Sequence, residues 1–279
     1  MFDCAKPDES GYYKQFQMAN SFWKDKRVFI TGASSGIGWA TAEHLAGLGA
    51  RLGLIARRPD RLAELAEKIR SRGGVAEFAP ADVTNAAETA AAAAAALERL
   101  LGPCDVLLAG AGIYRHTDVR HFDPAHVSEV LAVNVSGVVN AFGAVLPGMV
   151  ERRSGRLAAV ASMAAMVGLP GAGAYSASKA AVVTLLESLR VDLHRHGIKV
   201  TAVCPGYVDT PMITDEERKT LKGLLSAEQA ARHIAWAISR GRAEHWFPWH
   251  TWLMVRAARM LPPRLYTLVM AHYPEMEET

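Results

Sequence analysis

Arg27-Val-Phe-Ile-Thr-Gly-Ala-Ser-Ser-Gly-Ile-Gly38 runs from a β-branched and aromatic stretch straight into a glycine-rich turn, and the helical pattern Gly36–Leu48 follows at once. A strand that empties into such a turn at a helix start forms a cradle for phosphate. Glycine tolerates the tight backbone, and the first N–H groups of the helix face an anion. The spacing is G-x-x-x-G-x-G, distinct from the commoner G-x-G-x-x-G dinucleotide turn. Gly32, Ser34, Ser35, Gly36, Ile37 and Gly38 are the expected pyrophosphate contacts.

Outward from this turn, short apolar runs alternate with helical patterns. Strands are expected at Arg27–Thr31, Arg51–Ala56, Val75–Ala79, Cys104–Ala109, Arg156–Ala161 and Ile198–Cys204. Helices are expected near Gly36–Leu48, Pro59–Arg72, Asn85–Leu101, Pro124–Arg152 and Ala174–His196. That rhythm predicts an α/β fold with a doubly wound, Rossmann-type parallel sheet covered by helices on both faces. The alanine-rich run Ala86–Ala96 suits a helix lying close to a sheet. No long linker or repeat divides the chain. The expected organisation is an N-terminal arm (1–24), one dinucleotide-binding catalytic domain (25–240) and an apolar C-terminal extension (241–279).

The second strand bears on which dinucleotide fits. About 20 residues beyond the turn, an NAD site usually offers a carboxylate to the ribose 2′-hydroxyl. Here Ala56 is followed by Arg57 and Arg58, whose planar forks suit a 2′-phosphate. The preferred cofactor is therefore NADP(H) over NAD(H); the plainer alternative is that both arginines sit on a solvated helix start.

Bulk properties narrow the classes. With 50% hydrophobic and 21% charged residues, the chain has the composition of a soluble protein with a real core. A net charge of +3 without a basic run gives no footprint for nucleic acid. Cys4, Cys104 and Cys204 are far apart and read as reduced thiols. No apolar signal core opens the chain, and no stretch reaches the ~18 apolar residues of a membrane span, so a cytoplasmic location is expected. The histidines, among them His116, His121 and His126, share no helical spacing, and no metal is expected.

Tyr175 and Lys179 lie four residues apart in a helical pattern, so they share a face. Ser162 ends the apolar strand Arg156–Ala161, and open α/β sheets bind ligands beyond the carboxyl ends of their strands. Strand end and helix face can therefore converge on one cleft.

These elements together resemble a short-chain dehydrogenase/reductase of the ~250-residue type, over roughly residues 25 to 240. The matching residues are Thr31-Gly-Ala-Ser-Ser-Gly-Ile-Gly38, Asp82-Val83, Ala109-Gly-Ala-Gly112, Asn134, Ser162, Tyr175-Ser-Ala-Ser-Lys179 and Pro205-Gly206 with Thr210. The resemblance implies a catalytic tetrad of Asn134, Ser162, Tyr175 and Lys179. It places Asp82 and Val83 beside the adenine, and Pro205, Gly206, Val208 and Thr210 along the nicotinamide. Gly110, Tyr175 and Lys179 would also touch cofactor. Homodimers or homotetramers built through the helices bearing Asn134 and Tyr175 are implied as well.

The chemistry gives each residue a purpose. Reducing a ketone needs a proton on oxygen as hydride reaches carbon. A free tyrosine, with a pKa of ~10, ionises too high to act as base near neutrality. The Lys179 ammonium and the positive nicotinamide are expected to lower it, a shift of ~3 units equalling ~4 kcal/mol. Ser162 would hold the substrate oxygen. By the resemblance, Asn134 holds a water linking Lys179 to solvent; the plain alternative is a satisfied buried amide.

Two departures stand out. Ala109-Gly-Ala-Gly112 replaces the family's Asn-Asn-Ala-Gly, and the short closing strand of many relatives is not recognisable. The chain continues instead through Trp246-Phe-Pro-Trp249, Trp252-Leu-Met-Val255 and Leu265-Tyr-Thr-Leu-Val-Met270, with Arg256, Arg259 and Arg264 among them. This extension would pack on the core or a sister subunit, roof the substrate cleft, or make peripheral contact with a membrane. With an expected lid carrying Met212, Ile213, Leu221 and Leu224, its apolar content suggests a bulky hydrophobic carbonyl or alcohol substrate. Beside this reading stand an NAD-linked alcohol dehydrogenase using the same site and a non-catalytic NADP-binding sensor or assembly protein.

Overall fold

The structure, a computed structural model, describes residues 21–99, 102–221 and 223–271. Its strands are β1 (Arg27–Thr31), β2 (Arg51–Ala56), β3 (Val75–Pro80), β4 (Val106–Ala109), β5 (Gly155–Val160), β6 (Ile198–Pro205) and β7 (Glu244–Phe247). They form one sheet in the order β3-β2-β1-β4-β5-β6-β7, and every pairing is parallel. The strand order reverses between β1 and β4, the switch point where an α/β sheet opens a crevice.

The helices are α1 (Gly36–Gly47), α2 (Pro59–Arg70), α3 (Ala86–Arg99), α4 (Pro124–Leu131), α5 (Gly137–Glu151), α6 (Gly173–His194), α7 (Asp215–Thr220), α8 (Ala227–Arg240), α9 (Trp249–Arg259) and α10 (Pro263–Met270). Two buried clusters flank the sheet because neighbouring strand residues point to opposite faces. Val28 and Ile30 join one cluster with Leu45, Leu62 and Ile234, whereas Phe29 joins the other with Phe142 and Leu186. The alanines of α3 serve close approach: Ala92, Ala93 and Ala96 are buried, and a Cβ on Gly53 would lie 3.3 Å from that of Ala96.

The doubly wound parallel sheet is as the alternation predicts, and three particulars differ. The closing strand is present after all: β7 pairs with β6 inside the segment expected to be an extension. Glu244-His-Trp-Phe247 is four residues long and sits at the sheet edge, so it lacks the apolar run of a strand buried on both faces. Residues 1–20, most of the expected arm, and Cys4 lie outside the described residues.

The expected single helix Pro124–Arg152 is α4 and α5 joined by a π turn at Ala132–Ser136, with Asn134 inside it. This continuous Pro124–Glu151 helix is long and apolar enough to cross a membrane by length and composition, contrary to the reading that no stretch qualifies. Val138, Phe142, Val145 and Met149 are buried in the cluster against the sheet, so its apolar character belongs to the core.

Candidate active site

The glycine turn after β1 is compressed against the loop after β4. Gly32 sits at φ +74°, and a Cβ there would lie 2.6 Å from the Ala111 nitrogen. A Cβ on Gly38 would lie 2.3 Å from the Gly32 carbonyl oxygen, so helix α1 can start this close to the turn only without one. Ser35 caps α1 in an extended conformation and its side chain makes no capping bond. The first-turn N–H groups thus have no side-chain cap, which fits them to an anion. Thr210 closes over the turn from the far side, 3.1 Å from where a Gly36 Cβ would be.

Gly38→Val follows as a prediction. The added side chain would force the turn apart at a cost of ~1–3 kcal/mol. NADPH, titrated by its fluorescence, should bind roughly ten- to hundredfold more weakly. Gly47→Ala, where a Cβ meets nothing within 4 Å, should bind NADPH normally.

The expected adenosine end is lined by charge. Arg58 reaches back to the turn, its Nη2 donating to Ser34 Oγ at 3.0 Å and to the Ser34 carbonyl at 3.2 Å. Asp82 lies within the field of Arg57, and its carboxylate accepts from the Thr84 N–H and hydroxyl, both at 2.9 Å. The Thr84 N–H is the main cause that holds Asp82 below its ordinary range. Val83, which the resemblance places beside the adenine, follows Asp82 directly. It is buried against Gly137, and its carbonyl accepts from Asn140 at 2.8 Å.

At the ends of β4 and β5 the four expected catalytic residues come together. Asn134 folds back on the loop after β4, accepting from the Ile113 N–H at 2.8 Å and donating to the Ile113 carbonyl at 3.0 Å. Its amide also donates to Ser178 Oγ at 3.0 Å, and Ser178 donates to the Tyr175 carbonyl at 2.7 Å. The π turn seats Asn134 fully buried in this network. Its protein partners satisfy the buried amide. Lys179 is buried and donates to the Val160 carbonyl at 2.9 Å, with its ammonium 5.4 Å from the Tyr175 ring centre. A Cβ on Gly112 would sit 3.3 Å from Asn134 Oδ1 and 3.4 Å from Lys179 Nζ, so glycine leaves both groups facing one space.

Ser162 caps the short 3₁₀ turn Met163–Ala165, its hydroxyl accepting from the Ala164 N–H at 3.1 Å. Burial pushes the Tyr175 phenol up, and a hydrogen bond from Ser162 offsets this in part. The net lowering expected from Lys179 and the nicotinamide is not seen: burial sets the direction, and the ammonium is directed to the Val160 carbonyl. Burial moves Lys179 itself down to about 8.

Three residues of this constellation were not singled out from sequence. Gly112 and Ser178 stood inside quoted motifs, as spacers. Tyr114 packs edge-on against Tyr175, ring centres 5.7 Å apart, and donates to the Gly171 carbonyl at 3.2 Å; only its nearness to Gly112 in sequence pointed to it. The segment after Pro205 also has more structure than a lid loop. Gly206 donates to the Phe247 carbonyl at 2.8 Å, Val208 is buried and bridges to Leu225, and Arg218 in α7 binds Asp209, Asp215 and the Thr210 carbonyl.

His116, His121 and His126, scattered in sequence, line one cavity of about 330 Å³ with Thr117, Asp118 and Ala174. Among the described residues no group of three or more metal-type ligands is assembled. Cys104 and Cys204 are free and buried.

The arrangement has known counterparts. The short chain dehydrogenase family model matches residues 26–221. An uncharacterized oxidoreductase of Myxococcus xanthus is 36% identical over 241 residues, covering 86% of this chain and 94% of its own. Among solved structures, actinorhodin polyketide ketoreductase with NADPH aligns with a TM-score of 0.74 at 32% identity, over 80% of this chain and 95% of that one. A short-chain dehydrogenase/reductase from Burkholderia phymatum in complex with NAD aligns with a TM-score of 0.79 at 26% identity, over 92% and 99%. With its parallel sheet and glycine turn accounted for, the chain belongs to the short-chain dehydrogenase/reductase family, nicotinamide-dependent oxidoreductases that act on CH–OH and C=O groups.

Proposed function

We propose that the chain is an NADP(H)-dependent reductase of a bulky, hydrophobic carbonyl compound, with Tyr175 as the proton donor. The observation that carries this reading is the convergence of Asn134, Ser162, Tyr175 and Lys179 beside the uncapped start of α1. The bound nicotinamide supplies the hydride. Ser162 holds the substrate oxygen, and Tyr175 delivers a proton to it as the carbonyl becomes an alcohol. A phenol pushed up by burial stays protonated at neutral pH, the form a reductase requires of its acid. Lys179 keeps an ammonium near the phenol ring, and Asn134 with Ser178 fixes the helix that carries both.

Arg58 on Ser34 and Arg57 near Asp82 support NADP(H), since two guanidiniums beyond β2 suit a ribose 2′-phosphate. Met163, beside Gly206, and the exposed Met212, whose N–H donates to the Thr210 hydroxyl at 3.4 Å, support a bulky and apolar substrate. Exposed Val139 and Val191 on α5 and α6 suit the subunit contact of a dimer or tetramer. The neighbour in complex with NAD keeps an NAD-linked alcohol oxidation as the second reading.

The test is a panel of ketones and alcohols followed by nicotinamide absorbance. The kcat/KM with NADPH should exceed that with NADH about a hundredfold, and Arg57→Ala and Arg58→Ala should each lower this preference about tenfold through the KM for NADPH. Equal constants for the two cofactors, unmoved by either substitution, would reject the NADP(H) reading. No turnover of any panel member despite tight NADPH binding would leave the non-catalytic sensor.

A further inference from the structure

Helices α9 and α10 carry apolar side chains on the side turned away from the protein. Trp249, Leu253 and Met260 share one stripe of α9 and its C-cap, and each is more than half exposed. The opposite stripe, Trp252, Val255 and Ala258, is half-buried. On α10 the outward residues are Leu265, Leu268 and Val269, while Tyr266 turns in and donates to the Gly168 carbonyl at 2.6 Å. Burying these outward stripes would be favourable, and nothing within the described residues covers them.

Charge identifies what does. Along α9 and α10 the only charged residues are Arg256, Arg259 and Arg264; Glu275, Glu277 and Glu278 follow beyond the described residues. A second copy meeting this face about a two-fold axis would set arginines against arginines, since an isologous contact pairs a patch with itself. An anionic surface meets the same arginines with complementary charge.

We propose that the outward face of α9 and α10 docks on anionic lipid bilayers. Helices of 11 and 8 residues are too short to span the ~20 residues of a bilayer core and lie along its surface. Trp249 sits at headgroup depth, the leucines and methionines reach the acyl boundary, and the arginines meet lipid phosphates. The Tyr266 bond ties this face to the loop between the turn that follows Ser162 and the helix bearing Tyr175. The bilayer therefore lies beside the candidate active site. The proposal stands on exposure and charge and does not depend on the cofactor or substrate assigned above.

The full chain is mixed with vesicles of neutral phosphatidylcholine, with and without about a third phosphatidylglycerol, and the bound fraction is read by sedimentation. Binding to the anionic vesicles is expected, with little to the neutral ones and a steep loss in 0.5 M salt. The triple charge reversal Arg256→Glu, Arg259→Glu, Arg264→Glu should lower partitioning about a hundredfold. Leu253→Asp and Leu268→Asp should each lower it about tenfold. NADPH turnover of a water-soluble ketone, where the wild-type chain shows it, should be unchanged in all of them. A tryptophan emission shift to the blue on anionic vesicles, reduced in Trp249→Phe, reads the same event in a chain without added charge. Absence of binding by the wild-type chain overturns the proposal. So do vesicle binding untouched by these variants and a fall in the mass of a soluble oligomer that leaves vesicle binding intact; this last result would assign the face to a second copy.

Discussion

Tyr175→Phe should lower turnover about a thousandfold while NADPH binding stays within roughly threefold of the wild-type chain. The substitution removes one hydroxyl and keeps the ring, which Tyr114 holds edge-on at 5.7 Å. Ser162 loses the phenol as a partner but retains the Ala164 N–H, so the 3₁₀ turn keeps its cap. Tyr175 is half-buried and burial pushes its phenol up, so bulk water is a poor substitute donor at that point. On the proposed reading nucleotide affinity rests mainly on the glycine turn and the arginines beyond β2, which the change leaves alone. Steady-state absorbance and NADPH fluorescence titration separate the two effects. A variant that turned over at near-wild-type rate would end the assignment of Tyr175 as proton donor. The pH profile offers a second check. A phenol held above its ordinary value does not titrate near neutrality, so between about pH 6 and 7, below the range in which Lys179 releases its proton, the rate of reduction should stay flat.

What could be read in advance was whatever local chemistry makes unavoidable. Strand-to-glycine-to-helix is a local pattern, and the crowding of Gly32 and Gly38 by backbone explains why it has to be glycine. Tyr175 and Lys179 share a helix face by spacing alone, and the apolar runs of β1, β2 and β4 announce strands buried on both sides. The edge strand β7 was missed because burial on a single neighbour asks less of its sequence. Helix α8 went unread although its signals are present: Ser226 and Gln229 form a capping box, and Gly241 ends the helix at φ +62°.

Other features were not legible because they are made by tertiary contact. Nothing local to Ala132–Ser136 specifies a π turn; it accompanies the ties of Asn134 to Ile113 and Ser178, neither of them a sequence neighbour. The direction of the Tyr175 shift was misjudged for a related reason. Four residues of spacing bring Lys179 near, but the Val160 carbonyl decides where its ammonium points. Thr31 likewise braces the altered loop after β4, its hydroxyl accepting from the Gly110 N–H at 3.2 Å and the Ala111 N–H at 3.4 Å. The side chains missing from Ala109-Gly-Ala-Gly112 therefore do not leave the loop without polar contacts.

Lys179→Met should abolish most activity and yet leave the protein at least as stable at pH 7. The ammonium is buried, and its pKa falls from 10.5 to about 8 on folding, so the charged form is disfavoured in the folded chain by on the order of 3 kcal/mol. Below about pH 8 both the folded and unfolded chains hold the proton, and the folded state bears the full penalty. Between about 8 and 10.5 the unfolded chain still binds the proton that the folded chain has released, so stability rises with pH across that window. Methionine of similar length removes the charge, and its cost is the Val160 carbonyl losing a donor, about 1–3 kcal/mol. The two effects leave stability at pH 7 unchanged or improved by up to ~2 kcal/mol, a rise of a few degrees in Tm for a chain of this size. Turnover should nevertheless fall about a thousandfold, because the phenol loses the ammonium that lies 5.4 Å from its ring centre. Thermal scans from pH 7 to 10.5 without added nucleotide check both parts: the wild-type chain should gain stability through the window, and the variant should lack that contribution. A variant that melted well below the wild-type chain at pH 7 would make Lys179 a structural residue, since a group kept for catalysis at the expense of stability is recognised by the stability regained on removing it.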